Sequence, residues 1–195
     1  MARPPRFDMD QMLDAAVRLT VASGPAGVTM SAVAKEVGAP SGSVYHRFSG
    51  RTALLAEVWL RTVERFQDGY FRTFEAQGDP VRAGCAAARH VVSWSRAHTD
   101  EASLLLYGAD DFGRADWSEE HIRRADRGHQ RVAGMLASVA AGLGADGSQG
   151  AERVALALID LPLSLVRRHL RAGTRLPAYA EDLAEEGAAR LLGLG

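Results

Sequence analysis

A chain of 195 residues has room for one domain or two small ones, and its net charge of −1 supplies no global field to attract nucleic acid. With 47% hydrophobic and 24% charged residues it can bury a core, which excludes a disordered chain. Its single cysteine, Cys85, excludes an internal disulfide and a thiolate metal cluster.

The opening MARPPRFDMDQ has no apolar core of the kind a signal peptide carries, so we expect a cytoplasmic protein. No period-2 alternation is sustained and no hairpin turn separates β-branched runs, which predicts an all-α chain. A first helix starts at Asp8 or Asp10, puts Met12, Leu13, Ala16, Val17 and Val21 on one face, and ends at SGPAG. Thr29 can cap a second helix over about 30–37. Gly38 supplies a left-handed turn, and a third helix covers about 41–47. Ser49 can cap a long fourth helix, about 50–76, with the inner stripe Leu55, Val58, Trp59, Phe66, Tyr70 and Phe74. After the break QGDP come helical patterns over 81–98, 102–107, 119–143, 150–171 and 177–192. The run 155–166 is the longest apolar one, but Asp160 and Pro162 interrupt it. It is too short for the roughly 20 residues of a membrane span, so no membrane partner is expected. We expect a three-helix N-terminal domain over 1–53 and a larger helical body over 54–195, joined by the fourth helix.

The stretch VTMSAVAKEVGAPSGSVYHRFSGRTALL (residues 28–55) has the spacing of a helix-turn-helix. Ala34 is small where two helices would cross, and Val33, Val37, Val44 and Phe48 fall on the inner side of a three-helix core. Once Val44 and Phe48 point inward, Ser41, Gly42, Ser43, Tyr45, His46 and Arg47 form an exposed face on a helix slim enough for a major groove. Small hydroxyls allow close approach, Tyr45 and His46 can donate to phosphate, and Arg47 and Arg51 can neutralise it. Residues 1–53 carry six Arg or Lys against four acids, and no carboxylate occurs from Gly38 to Ala53. The bland alternative is a solvated helical corner with an incidental glycine. The coincidence of turn glycine, small crossing residue, apolar spacing and acid-free face favours DNA.

On these residues the sequence resembles the tetracycline-repressor (TetR) family of transcriptional regulators, in a glycine turn, a Gly-Ser-x-Tyr recognition helix, a nearby Phe and a basic residue opening the fourth helix. The resemblance covers about 50 residues at motif level and implies a homodimer, a palindromic double-stranded DNA operator and a small molecule that releases DNA. By position it assigns recognition contacts to Ser41, Gly42, Ser43, Tyr45, His46 and Arg47. It matches a phosphate-binding lysine to Arg51 and places Ser31 near the operator. Pro40 departs from the family's usual Ser or Thr cap. Ser41 is then a substitute cap, at the expense of its base contact. Arg3 and Arg6 offer an arm along DNA, although termini of this kind usually do nothing specific.

In the larger body, Trp59, Trp94, Tyr107, Phe112 and Trp117 lie on segments that can converge. His90 shares a helical face with Trp94, and Asp160 shares one with Ser164. Residue by residue these read as ordinary core. With the resemblance they read as an apolar effector cavity lined by Trp59, His90, Trp94, Tyr107, Asp160 and Ser164. Pro162 can kink its helix and open space there. The last two helices suggest a four-helix dimer interface through Val154, Leu158, Ala180, Ala184, Gly187, Ala188 and Leu191. The arginines at 167, 168, 171 and 175 read as complements to a helix dipole. GLGADG (142–147) matches a dinucleotide pattern in letters only, because no strand precedes it. No catalytic motif, cofactor site or metal site is expected; His121 and His129, with Asp126 between them, are poorly placed for a metal. The competing function is a helical carrier or enzyme using the same cavity.

Overall fold

The computed structural model describes residues 8–145 and 147–194, and among these it is built of helices without a strand. Its α-helices follow in order: α1 (Met9–Ser23), α2 (Met30–Glu36), α3 (Ser41–Tyr45), α4 (Arg51–Glu75), α5 (Pro80–Ala97), α6 (Thr99–Leu104), α7 (Glu119–Gly142), α8 (Ser148–Ala155), α9 (Leu161–Arg171) and α10 (Ala180–Leu191). None is long and apolar enough to cross a membrane. The chain divides into two compact units, Met1–Val63 with Asp100–Ala125, and Glu64–Thr99 with Asp126–Gly195. Arg3 and Arg6 lie outside the described residues.

The first unit is organised by local signals. Asp8 caps α1 by accepting from the Gln11 amide at 2.8 Å, and the Gln11 side chain accepts from the Asp8 amide in return. Thr29 caps α2 through the Ala32 amide, 3.1 Å away. Its core gathers Met12, Leu13 and Val17 from α1, Met30, Val33 and Ala34 from α2, and Val44 and Phe48 around α3. Leu54, Leu55, Val58, Trp59 and Leu60 of α4 belong to the same core, as do Phe112 and Trp117. This is why the first unit does not stop at residue 53. Half of α4 spends its apolar face there, and residues 100–125 return to complete the packing.

In the second unit α10 packs on α5 and α9. The expected helix over 150–171 is continuous in its turns, but it widens into a π-helical segment at Leu156–Asp160. There the Leu161 amide bonds back to the Leu156 carbonyl, five residues away. Pro162 has no N–H to offer the Leu158 carbonyl four residues before it. The buried Tyr70 hydroxyl points at that oxygen from 3.4 Å. Burial pushes the Tyr70 phenol pKa well up, so it stays a protonated donor. Arg89 and Arg96 of α5 tie α10 down through Glu181, Asp182 and Glu185.

The expected interface residues are corrected by this packing. Val154, Leu158, Ala180, Ala184 and Ala188 are at most 1% exposed in the single subunit, and Leu191 packs against the same core. A Cβ at Gly187 would come within 2.8 Å of Leu161. The small-residue stripe of α10 thus serves close approach inside the subunit. The apolar side chains these segments leave outside are Leu156, Leu163, Tyr179 and Leu183.

Candidate nucleic-acid interface

The turn between α2 and α3 closes as a double-bonded helix end. The Ala39 amide reaches the Ala34 carbonyl at 2.9 Å and the Gly38 amide reaches Lys35 at 3.2 Å. Gly38 sits at φ 67° with open space where a Cβ would stand, so its requirement is conformational and not steric. Val44 is fully buried and Phe48 is 2% exposed, and they orient everything between them. Ser41, Gly42, Tyr45 and His46 are exposed, with Tyr45 at 62%, while Ser43 and Arg47 are half-buried. Gly42 has nothing within 4 Å of its Cβ position, so backbone can approach a partner closely there.

Pro40 occupies the N-cap position of α3 with no side-chain bond, and the Ser43 amide bonds to its carbonyl at 2.9 Å. Ser41 is the first helical residue and does not act as a cap, so its hydroxyl remains on the exposed face. Ser31 is exposed and shares a 3.2 Å hydroxyl contact with Thr29. Arg47 donates back to the Ser43 carbonyl at 3.2 Å.

Arg51 does more than the sequence suggested. Its Nε donates to the Val28 carbonyl at 2.8 Å, and its Nη2 to Pro25 at 3.0 Å. The guanidinium therefore staples the start of α4 to the turn after α1, and phosphate neutralisation is not its only task. Acids of this unit are answered away from α3: Glu36 pairs with Arg18 at 3.0 Å, and Asp10 and Asp14 with Arg61 at 3.1 and 2.6 Å. The sequence reading missed a partly buried network in which Glu57 binds His121 at 3.0 Å and Arg124 at 2.7 Å. Both partners lie more than sixty residues from Glu57 in the chain, so no local pattern signals it.

The expected effector residues fall in both units. In the first, Trp59 is 8% exposed and packs on Trp117 with ring centroids 5.6 Å apart, and Tyr107 is exposed. The buried Trp59 Nε1 has no hydrogen-bond partner among the described residues. In the second, Phe66 joins Tyr70, His90 and Trp94 at centroid distances of 5.5, 6.2 and 5.2 Å. Burial lowers the His90 pKa, aided by Arg72 and His98 and opposed by its bond to the Phe66 backbone. Asp160 and Ser164 are corrected: both are exposed, and Ser164 donates to the Leu161 carbonyl at 2.7 Å. Asp160 lines an open groove of about 550 Å³ with Glu152, Arg153 and Leu156, so it is no buried carboxylate. Pro162 is itself buried. Among the described residues no cluster of His, Cys, Asp and Glu could hold a metal ion.

Comparison with known proteins agrees with this geometry. Residues 12–58 match the family model for bacterial regulatory proteins of the tetR family. No curated protein matches the sequence. Among solved structures, the fatty acid degradation regulator FadR from Bacillus halodurans aligns at TM-score 0.72 and 16% identity, over 95% of this chain and 98% of its own. A TetR family regulator from Marinobacter aquaeolei VT8 aligns at 0.73 and 16%, over 93% of both chains. FadR from Bacillus subtilis, in complex with stearoyl-CoA, aligns at 0.69 and 14%, over 95% and 98%. By their descriptions these three proteins are regulators. Residues 12–58 thus carry the tetR-family pattern in the N-terminal helices, and the chain shares its fold with TetR-family regulators.

Proposed function

We propose that the protein is a repressor that binds a palindromic operator as a homodimer and releases it when a small, mainly apolar molecule binds. The observation that carries the reading is the acid-free, exposed face of α3, held outward by Val44 and Phe48. Ser41, Gly42, Ser43 and His46 read base edges, Tyr45 and Arg47 hold phosphate, and Ser31 approaches the backbone. The dimer forms through the faces left outside by α8 to α10, around Leu156, Leu163 and Leu183. The effector contacts the aromatic group Phe66, His90 and Trp94; that a FadR of the same fold binds stearoyl-CoA supports an apolar ligand.

α4 contributes Arg51–Val63 to the first unit and its remainder to the second. A ligand that displaces Phe66 therefore acts on the helix whose first residue staples the reading unit. A coupling of about 1–3 kcal/mol gives roughly 5–150-fold release. Trp59 is a poor probe of this lever, since it is core of the first unit. Phe66→Ala is the better one. The test is selection of bound duplexes from a random pool by the intact protein. A two-fold symmetric site with half-sites about 34 Å apart, or a multiple of that, is expected. A pool without enrichment refutes the reading.

A further inference from the structure

α8, the π-helical segment and α9 run on as one rod, and they leave a stripe uncovered in the subunit. Gln149, Glu152, Leu156, Asp160, Leu163 and Arg167 recur along it every three or four residues, and all six are exposed. The stripe is electrically lopsided. Its first half carries the carboxylates of Glu152 and Asp160 against one cation, Arg153. Its second half carries Arg167, Arg168 and Arg171, and no carboxylate occurs from Leu161 to Ala180. Glu152, Asp160 and these three arginines take part in no hydrogen bond or ion pair among the described residues. Arg89 and Arg96 of the same unit, by contrast, are bound to Glu181, Asp182 and Glu185. Arginines at a helix end usually offset its dipole or donate to its last carbonyls. Here backbone closes that end, with the Gly173 amide on Leu170 at 3.1 Å and the Thr174 amide on His169 at 3.0 Å.

The acidic half is also hollow. Glu152 and Asp160 line an open groove of about 550 Å³ together with Ala155, Leu156 and Leu191. Carboxylates beside apolar side chains suit a guanidinium carried on an aliphatic stem. Leu156 and Leu163, 46% and 37% exposed, add the apolar anchors that a protein contact needs. The two halves complement each other, but they lie along one rod and cannot meet within the subunit. Between two copies they can. A two-fold axis across the rod runs the copies antiparallel and lays each acidic half on a basic half. A two-fold axis along the rod sets arginine against arginine, and such like-charge contacts are strongly unfavourable.

We propose that a second copy of this chain docks antiparallel along the stripe, so that Asp160 and Glu152 of each copy pair with the partner's Arg167 and Arg171. The two-fold axis then passes near Leu163 and Ser164. The inference rests on the homodimer reading above and adds the direction and register of the contact. Leu156 and Leu163 supply the apolar area, and the charges select the orientation. The test reverses one half at a time in the intact protein. E152R/D160R makes the acidic half basic, and R167E/R171E places acids in the basic half. All four positions are exposed, so both variants should melt as the wild type does. In sedimentation the wild type should be a dimer, and each variant alone should self-associate about 100-fold more weakly or worse. An equimolar mixture should regain the wild-type affinity as a one-to-one heterodimer, counted by native mass spectrometry. Where a double variant melts early, the single reversals D160R and R167E decide by the same criterion. Variants that self-associate like the wild type overturn the proposal. That is the result for a parallel contact, where reversal leaves like facing like, and for arginines that serve a foreign acidic partner. A mixture that stays monomeric while both variants melt normally overturns it too. A wild type that is itself monomeric condemns the homodimer reading, and the pairing with it.

Discussion

α3 and α10 invite comparison, because both carry small residues at helical spacing and the two use them oppositely. On α3, Ser41, Gly42 and Ser43 stand at or near the surface, where small size admits a partner. On α10, Ala180, Ala184 and Ala188 are buried against the subunit's own core, where small size admits another helix. The residue types alone do not separate these cases. What separates them is the company they keep. α3 has five residues, and its buried side is decided by Val44 within it and Phe48 just after it. α10 has large residues on several sides, and only packing with α5 and α9 decides which of them faces in.

The largest effects should come from α10. Ala188→Glu buries an unpaired carboxylate and should cost on the order of 4 kcal/mol, read as a large drop in the denaturation midpoint. Leu183→Glu, on the exposed side, should leave folding within about 0.5 kcal/mol yet convert the dimer to monomer in light scattering. If Ala188→Glu instead yields a stable, folded monomer, the inward assignment of that stripe is wrong.

Arg51 and Tyr45 sharpen the contrast within the reading unit. Arg51→Ala removes the staple to Val28 and Pro25 and should lower stability by about 1–2 kcal/mol, together with DNA affinity. Tyr45→Phe should leave the melting curve unchanged and weaken DNA binding by about 10–150-fold, the worth of one hydrogen bond to a charged group. Equal stability in both variants would return Arg51 to a purely phosphate-binding role. Gly38→Ala places a Cβ at positive φ and should cost about 1 kcal/mol through the turn alone, measurable by urea titration.

The smallest expected effect is on pH. Burial holds His90 below its ordinary pKa of 6.5, with Arg72 and His98 adding repulsion and the Phe66 backbone bond opposing them. Its neutral form is favoured by folding. Its contribution is therefore complete above about pH 6.5 and lost as pH falls through the lower folded-state value. His90→Gln should flatten that acid-side decline in unfolding experiments between wild type and variant. An unaltered pH profile would show that His90 is not as buried in solution as its packing implies.

The helix-turn-helix was legible in the sequence because its determinants are local: a cap at Thr29, a left-handed glycine at 38, and apolar residues three and four apart. Helix boundaries elsewhere were legible to within a few residues for the same reason. The contacts that escaped are between distant positions. Arg51 finds carbonyls 23 and 26 residues earlier, and Glu57 finds His121 and Arg124. Asp160 reads from the sequence as a cavity-lining carboxylate on an apolar helix, and in the structure it is exposed at the end of the π-helical segment. Pro162 signalled the irregularity but not its form, which depends on Tyr70 arriving from α4.

The central claim, that the exposed face of α3 reads DNA bases, is tested most directly by comparing the sites selected from random duplexes by the wild type and by His46→Ala. The account predicts that both select a two-fold symmetric site, and that the variant loses preference at one position in each half-site, worth about 1–3 kcal/mol of discrimination, while other positions persist. Identical preferences at every position, or selection that survives removal of the Ser41, Ser43 and His46 side chains together, would contradict it.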